Sequence, residues 1–403
     1  MWRTIFTPEI LFFFGMIQAL SPYILWNLQG LNPSYHYEIT YLPIVIWVIG
    51  YVSFLIGTKI IKTNRNSKVN LLVKISLNDL NFITKILIFL SIVQILLAIK
   101  LYGVIPIYGY VKGTANVLDI NSIQREAGFG QLGFLSVTLF FINGILLIWT
   151  LKLNEIRGKA NIWFLCILMI EIFAGIMAGK RQSLLMTIMF LSCGLSIYYN
   201  NFLVYIFNII YIPRNPVLRL ILSIMGLVFI VTLIGILGSL RTGSNSDDSG
   251  IDQIITYLQL PLINLEAQCR DIGLIPEKTN LLYPLLSLLP KKIYEGLIFD
   301  EIDFPIRPEP TIGAGFYGTI HWGTGIIGII IYSLIFGLIS KYFYKGSFNN
   351  LLHLLVYCQI SWTLFSAHTY NHFLNLIYLP IPTVVFVIFC YIFNRTNKKI
   401  LTI

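Results

Sequence analysis

Cationic side chains stand directly beside long apolar runs at two places in the chain. Lys180 and Arg181 lie in the short segment AGKRQS between two apolar runs, and Arg241 directly follows a third run. Because the planar guanidinium of arginine can pair with two phosphate oxygens, two converging arginines could clamp a diphosphate. The structural alternative is that each cation is a helix-end anchor whose charge reaches interfacial water.

A second set of polar residues lies between Arg307 and Gly323, in the segment RPEPTIGAGFYGTIHWG. Its prolines stiffen the first part, and its glycines permit close backbone approach further on. Glu309 or His321 could take a proton from a hydroxyl group, while Arg307 and the more distant Arg270 could bind an anionic substrate. The structural alternatives are a solvated acidic loop for Glu309 and a hydrogen-bonded helix start for His321.

Glu171 is a carboxyl inside an apolar run, ten residues before Arg181. On a helix this separation is about 15 Å, which is too far for the two side chains to pair. A carboxyl in a membrane is either functional or protonated and bonded to a neighbouring helix. His368 and His372, near the end of the chain, have the same two interpretations as His321: a general acid or base, or a hydrogen-bonded structural residue. No cysteine or histidine cluster predicts a metal site, and we predict no cofactor.

The composition indicates that these residues are positioned by helices in a membrane. The chain has 403 residues, of which 56% are hydrophobic and 11% charged, and its mean hydropathy is +0.77. A soluble domain carries about 25% charged residues. We therefore predict one all-α, polytopic domain over residues 1–403, embedded in the lipid bilayer, without nucleic acid as a partner.

About ten apolar runs reach the length of roughly 20 residues that a membrane-spanning helix needs. They cover residues 9–28, 40–58, 80–99, 132–150, 161–179, 182–200, 219–239, 319–341, 350–367 and 374–393. With both termini cytoplasmic, the shorter cytoplasmic connections hold more Lys and Arg than the longer external ones, as membrane topology requires. Residues 200–218 are apolar but interrupted by Pro213 and Pro216, and we expect an interfacial segment there.

This topology places residues 240–318 in one large external loop. Ile251, Ile254, Ile255 and Leu258 follow helical spacing, and the segment LLYPLLSLLP at 281–290 is apolar again. Such helices either lie in the membrane interface or pack against the helix bundle. The loop holds six Lys or Arg and eleven Asp or Glu, so its net charge is −5. Anion binding would therefore depend on individual arginines in a local pocket.

The arrangement of these segments resembles a known family. AGKRQS between two central spans, Arg241 at the start of a large external loop, and EPTIGAGFYGTIHWGTGIIG leading into a later span are similar to the Wzy-type O-antigen and capsule polymerases. The resemblance extends over nearly the full length. Tyr317, His321, Trp322 and Gly323 match the start of a span in that family loosely, with His321 where an aspartate is more usual.

The resemblance implies a multi-pass glycosyltransferase of the bacterial cytoplasmic (inner) membrane. It would polymerise polyprenyl-diphosphate-linked oligosaccharide repeat units, with a chain-length regulator and a flippase as further partners. Arg181 and Arg241 would act on the leaving diphosphate, and Glu309 or His321 would be the base. Lys180, Arg270, Arg307 and Tyr317 would bind substrate. The alternatives are an O-antigen ligase, a sugar O-acyltransferase, a lipid-linked oligosaccharide flippase and a non-catalytic assembly scaffold.

Overall fold

The computed structural model describes the parts of the chain that carry most of the predicted spans. These parts are residues 2–29, 41–62, 76–102, 108–109, 112, 128–155, 162–177, 181–199, 261–262, 264–270, 273–274, 281–286, 315–367, 373 and 379–400. Within them the regular structure is helical and contains no strand. The predicted all-α class is confirmed for these residues.

The helices follow the predicted apolar runs closely. They are α1 (Trp2–Ile5), α2 (Pro8–Gln29), α3 (Leu42–Ile60), α4 (Leu77–Tyr102), α5 (Gly128–Glu155), α6 (Ile162–Met177), α7 (Arg181–Tyr198), α8 (Tyr283–Leu286), α9 (Gly315–Gly346), α10 (Leu351–Phe365) and α11 (Pro380–Ile400). Helical residues 261–262 and 264–270 form a further element, here named the loop helix. The predicted span at 219–239 and the interfacial segment at 200–218 lie outside the described residues.

Judged by length and composition, three described helical segments could cross a membrane. They are Leu42–Ile60, Leu77–Leu97 and Gly315–Gly346, and shorter apolar stretches occur in α2, α5, α6, α7, α10 and α11. Large apolar side chains such as Phe82, Phe89 and Leu96 on α4 are exposed. Exposed faces of this kind suit a lipid environment. The protein is thus a helical membrane protein, while the number of crossings and the side of each terminus stay predictions.

Helices α3 and α9 form the most extensive described helix pair. Glycines allow this close approach: a Cβ on Gly57 would lie 2.1 Å from the Leu334 carbonyl oxygen, and one on Gly337 would lie 2.2 Å from that of Phe54. Small residues of this kind let helix backbones approach in membrane proteins. The pair fixes the position of α9, which carries the motif residues Tyr317 and His321.

A partly buried ion pair connects the far end of α9 to the start of the chain. Lys341 Nζ lies 2.6 Å from Glu9 Oε1 on α2, and the same ammonium lies over the Tyr344 ring, 5.5 Å from its centroid. Lys341 lies inside α9, which continues to Gly346, five residues beyond the predicted end of this span. The long lysine stem packs in the protein while its charge is neutralised.

Candidate functional site at the break in helix α9

Helix α9 is broken near its beginning. Gly325 has φ 62° and ψ −160°, a conformation outside the helical region and costly for a residue with a Cβ. The next amide, Ile326 N–H, donates to the Leu274 carbonyl of a different segment at 3.2 Å. Broken helices at membrane depth require protein partners for their backbone groups. Residues 273–274 provide one such partner here.

The loop helix packs against the first part of α9. Leu262, Leu265 and Cys269 are buried, and Gln268 Nε2 donates a buried hydrogen bond of 2.8 Å to the Gly318 carbonyl. Gly273, three residues beyond the described end of this helix, has a φ of 72°, and its N–H donates to the Cys269 carbonyl at 2.9 Å. This part of the predicted external loop therefore lies in the protein interior.

The short helix α8 packs against α9 and exposes apolar side chains. The Leu281 carbonyl just before it accepts a 2.7 Å hydrogen bond from the Tyr332 hydroxyl on α9. The side chains of Leu281, Leu282 and Leu285 are nevertheless exposed. The segment thus packs against the helix bundle and keeps an apolar face outward. The predicted helical face at 251–258 lies outside the described residues.

Glu266 and Arg270 form an ion pair along the loop helix. Arg270 Nε donates to Glu266 Oε1 at 2.8 Å, with the glutamate side chain fully buried and the arginine side chain 44% exposed. Arg270, predicted to bind substrate, is thereby held by a buried carboxylate. Glu266 was not among the predicted site residues, although its i,i+4 spacing to Arg270 was the available signal.

His321 lies in the first part of α9, between the loop helix and the break at Gly325. Its side chain is fully buried, and neither ring nitrogen has a hydrogen-bond partner among the described residues. The backbone carbonyls of Gly273 and Leu274 face the imidazole without completing a hydrogen bond in this geometry. These carbonyls are the partners that a hydrogen-bonded structural role for His321 would use, so the structural and the functional interpretations both stay open. An unsatisfied buried imidazole suits a residue that acts on a ligand.

Tyr317 lies in the contact between α3 and α9. Its ring is fully buried, meets the Trp47 ring edge-on at 4.5 Å, and occupies the space that a Cβ on Gly50 would need. The Ser333 hydroxyl is close to the Tyr317 hydroxyl. This environment is that of a packing residue, and the predicted role of Tyr317 in substrate binding stays a prediction.

The remaining predicted site residues are not placed by the structure. Lys180, Arg241, Arg307 and Glu309 lie outside the described residues, as do His368 and His372. Arg181 is the first residue of α7, but its side chain is not described, so the diphosphate clamp stays a prediction. Among the described residues, no group of three His, Cys, Asp or Glu side chains could hold a metal ion.

The described part of the site contains the buried imidazole of His321 and the hydrogen-bonded amide of Ile326. It also contains the partly exposed guanidinium of Arg270, which is paired with the Glu266 carboxylate. A neutral imidazole can accept a proton, and a guanidinium can pair with phosphate oxygens. No protein-family model, curated protein sequence or solved structure matches this chain. Its function is therefore inferred from the chemistry of its residues and from the resemblance of its short motifs.

Proposed function

We propose that this protein is a glycosyltransferase that polymerises polyprenyl-diphosphate-linked oligosaccharide repeat units on the outer face of the bacterial cytoplasmic membrane. The supporting observation is the contact between the loop helix and the broken part of α9. In the predicted topology this contact lies at the external end of α9. A lipid-linked donor presents its diphosphate and sugars at the same level, because its polyprenyl chain is anchored in the bilayer.

The proposed reaction needs few groups. The oxygen of an acceptor hydroxyl attacks the anomeric carbon of the donor chain, and the bond from that carbon to the diphosphate oxygen breaks. The diphosphate leaves with the electron pair and stays attached to its carrier. Arg181 and Arg241 stabilise the developing negative charge, and Lys180, Arg270 and Arg307 bind the anionic substrate. The proton of the hydroxyl passes to a protein base.

His321 and Glu309 are the two candidates for that base. His321 is supported by its unsatisfied imidazole, which lies among the carbonyls of residues 273–274 and lacks a described hydrogen-bond donor. One nitrogen can point its N–H at a carbonyl, which leaves the other nitrogen to accept a proton. Because the ring is buried, an acceptor hydroxyl reaches it only after a local rearrangement of the residues that cover it.

Deletion of the gene tests the proposed reaction against its alternatives. We expect surface glycan that carries a single repeat unit, with long chains restored by the wild-type gene. Long chains left on the lipid carrier would instead indicate a ligase, and repeat units trapped on the cytoplasmic side would indicate a flippase. Either result would refute the polymerase. Electrophoresis of surface glycan and analysis of lipid-linked sugars on each membrane face distinguish these outcomes.

Substitutions in the purified protein test the base. With a lipid-linked repeat unit as substrate, we expect His321→Gln to reduce the turnover rate strongly, because the amide fills the site without accepting the proton. His353→Gln is the matched control: this histidine contacts Tyr342 and Phe343 at the other end of α9. If His321→Gln retains full turnover while Glu309→Gln removes it, Glu309 is the base.

A further inference from the structure

Three polar side chains from three helices meet in the interior of the bundle, away from the break in α9. They are Glu171 on α6, Thr187 on α7 and Asn143 on α5, and all are buried. Thr187 Oγ1 lies 2.9 Å from Asn143 Oδ1 and 3.2 Å from Glu171 Oε1. Nitrogen Nδ2 of Asn143 has no hydrogen-bond partner among the described residues.

The number of hydrogens at Thr187 constrains this cluster. A threonine hydroxyl has one hydrogen, whereas Asn143 Oδ1 and an ionised Glu171 would both require it. With an ionised carboxylate and with Oδ1 of Asn143 toward Thr187, as in this structure, one of these contacts would join two oxygens without a hydrogen. An unpaired carboxylate in such a buried position is costly. A proton on Glu171 resolves both problems, because Glu171 then donates to Thr187 and Thr187 donates to Asn143.

The surroundings of Glu171 provide no compensating cation among the described side chains. The charged or titratable side chains described on α6 and on the helices packed against it are Asp79, Lys85, Lys100, Lys152, Cys166, Cys193 and Tyr198. None of these forms an ion pair or hydrogen bond with Glu171, and Lys85 instead lies over the Trp163 ring at 4.7 Å. Among the described side chains, a bound proton is then the available means of neutralising the carboxyl.

The predicted topology places the cluster deep in the membrane. Glu171 and Thr187 are each eight residues from Gly179, which lies in the sequence between α6 and α7. Eight helical residues correspond to about 12 Å, and half of the hydrocarbon thickness is about 15 Å. In the predicted topology the cluster thus lies close to the middle of the membrane.

A second hydrogen-bond arrangement is available after the proton leaves. If the Asn143 amide turns over, Nδ2 donates to Thr187, and Thr187 donates to the ionised Glu171. The positions of the heavy atoms stay almost unchanged, because amide oxygen and nitrogen are similar in size. Both arrangements satisfy Thr187, and they differ by one proton and by the direction of two hydrogen bonds.

We propose that Glu171, Thr187 and Asn143 form a proton-binding site inside the membrane bundle, with the proton carried by Glu171. The proton comes from bulk water and returns to it, and the direction of the hydrogen bonds reverses with its release. This site shares none of its three residues with the break in α9. It does not depend on the proposed glycosyltransferase activity, so either proposal can fail without the other.

Infrared spectroscopy of the full-length protein in lipid nanodiscs tests where the proton resides. At pH 7 we expect a C=O band of a protonated carboxyl that is absent in Glu171→Gln. This variant keeps a donor toward Thr187 and should fold. Thr187→Val should shift the band, because the hydroxyl that accepts the hydrogen bond is gone. Glu266→Gln is the matched control, since Glu266 is equally buried but paired with Arg270, and it should leave the band unchanged.

The spectra distinguish a bound proton from an ionised carboxylate and from a bound metal cation. A wild-type spectrum identical to that of Glu171→Gln in this region would show an ionised carboxylate and overturn the proposal. Reversible loss of the band at high pH, with helical circular dichroism retained, supports proton release; loss only on unfolding would overturn the release step. Loss of the band when sodium replaces choline at constant pH would assign the site to a monovalent cation instead.

Discussion

The contact between α3 and α9 makes Gly337 intolerant of even one added carbon. In Gly337→Ala the new Cβ would lie 2.2 Å from the Phe54 carbonyl oxygen and 3.1 Å from both Phe54 C and Thr58 N. These atoms belong to the backbone of α3 and cannot rotate away. To restore an ordinary contact of about 3.5–4.0 Å from 2.2 Å, the two helices must separate locally by about 1.3–1.8 Å.

The expected cost follows from a comparison with a second glycine. A Cβ on Gly144 would meet only side-chain atoms, with Phe386 Cε1 and Phe389 Cζ both at 3.7 Å, so Gly144→Ala fits without movement. Both substitutions replace glycine by alanine within a helix and share the gain in helix propensity of about 1 kcal/mol. The difference between the variants is then the overpacking cost, about 1–3 kcal/mol.

Thermal unfolding of both variants in the same detergent measures this difference. We expect Gly337→Ala to unfold several degrees below Gly144→Ala, at about 2–4 °C per kcal/mol for domains of 150–250 residues. The rate of polysaccharide extension should also fall in Gly337→Ala, because α9 carries His321. An unfolding midpoint for Gly337→Ala equal to or above that of Gly144→Ala would refute the close packing of α3 on α9.

Three further predictions concern single side chains. Lys341→Met should lower the unfolding midpoint, because it leaves the Glu9 carboxylate unpaired. The cost in unfolding free energy should be below about 3 kcal/mol, since Glu9 is partly exposed. Adding Glu9→Gln to the same chain should recover part of the lost stability. Burial and the Glu266 carboxylate raise the pKa of the Cys269 thiol to about 12. In a variant whose other four cysteines are replaced, Cys269 should therefore resist alkylation at pH 8 until the protein unfolds. Rapid labelling of the folded protein would contradict the burial of Cys269. Arg181→Ala and Arg241→Ala should each abolish chain extension at normal protein level, and full activity in both would exclude the diphosphate clamp.

The apolar segments could be predicted because their signal is local. The predicted span 40–58 corresponds to Leu42–Ile60, and 350–367 corresponds to Leu351–Phe365. A run of about 20 apolar residues specifies a helix by itself, since lipid leaves the backbone no other way to satisfy its hydrogen bonds. The candidate residues were recognised in the same way, from their chemical type and their place beside these runs.

The tertiary structure decided which polar groups meet. Gln268 and Gly318 are fifty residues apart, and no periodicity links the loop helix to the first part of α9. The break falls at Gly325, within the glycine-rich GTGIIG, because Leu274 accepts a hydrogen bond from Ile326 N–H there. Likewise the sequence identified Glu171 as a buried carboxyl, but only the packing of α5, α6 and α7 supplied Thr187 and Asn143. Hydrogen-bond partners depend on the distances between helices, and those distances are set by side-chain packing along the whole chain rather than by any one segment.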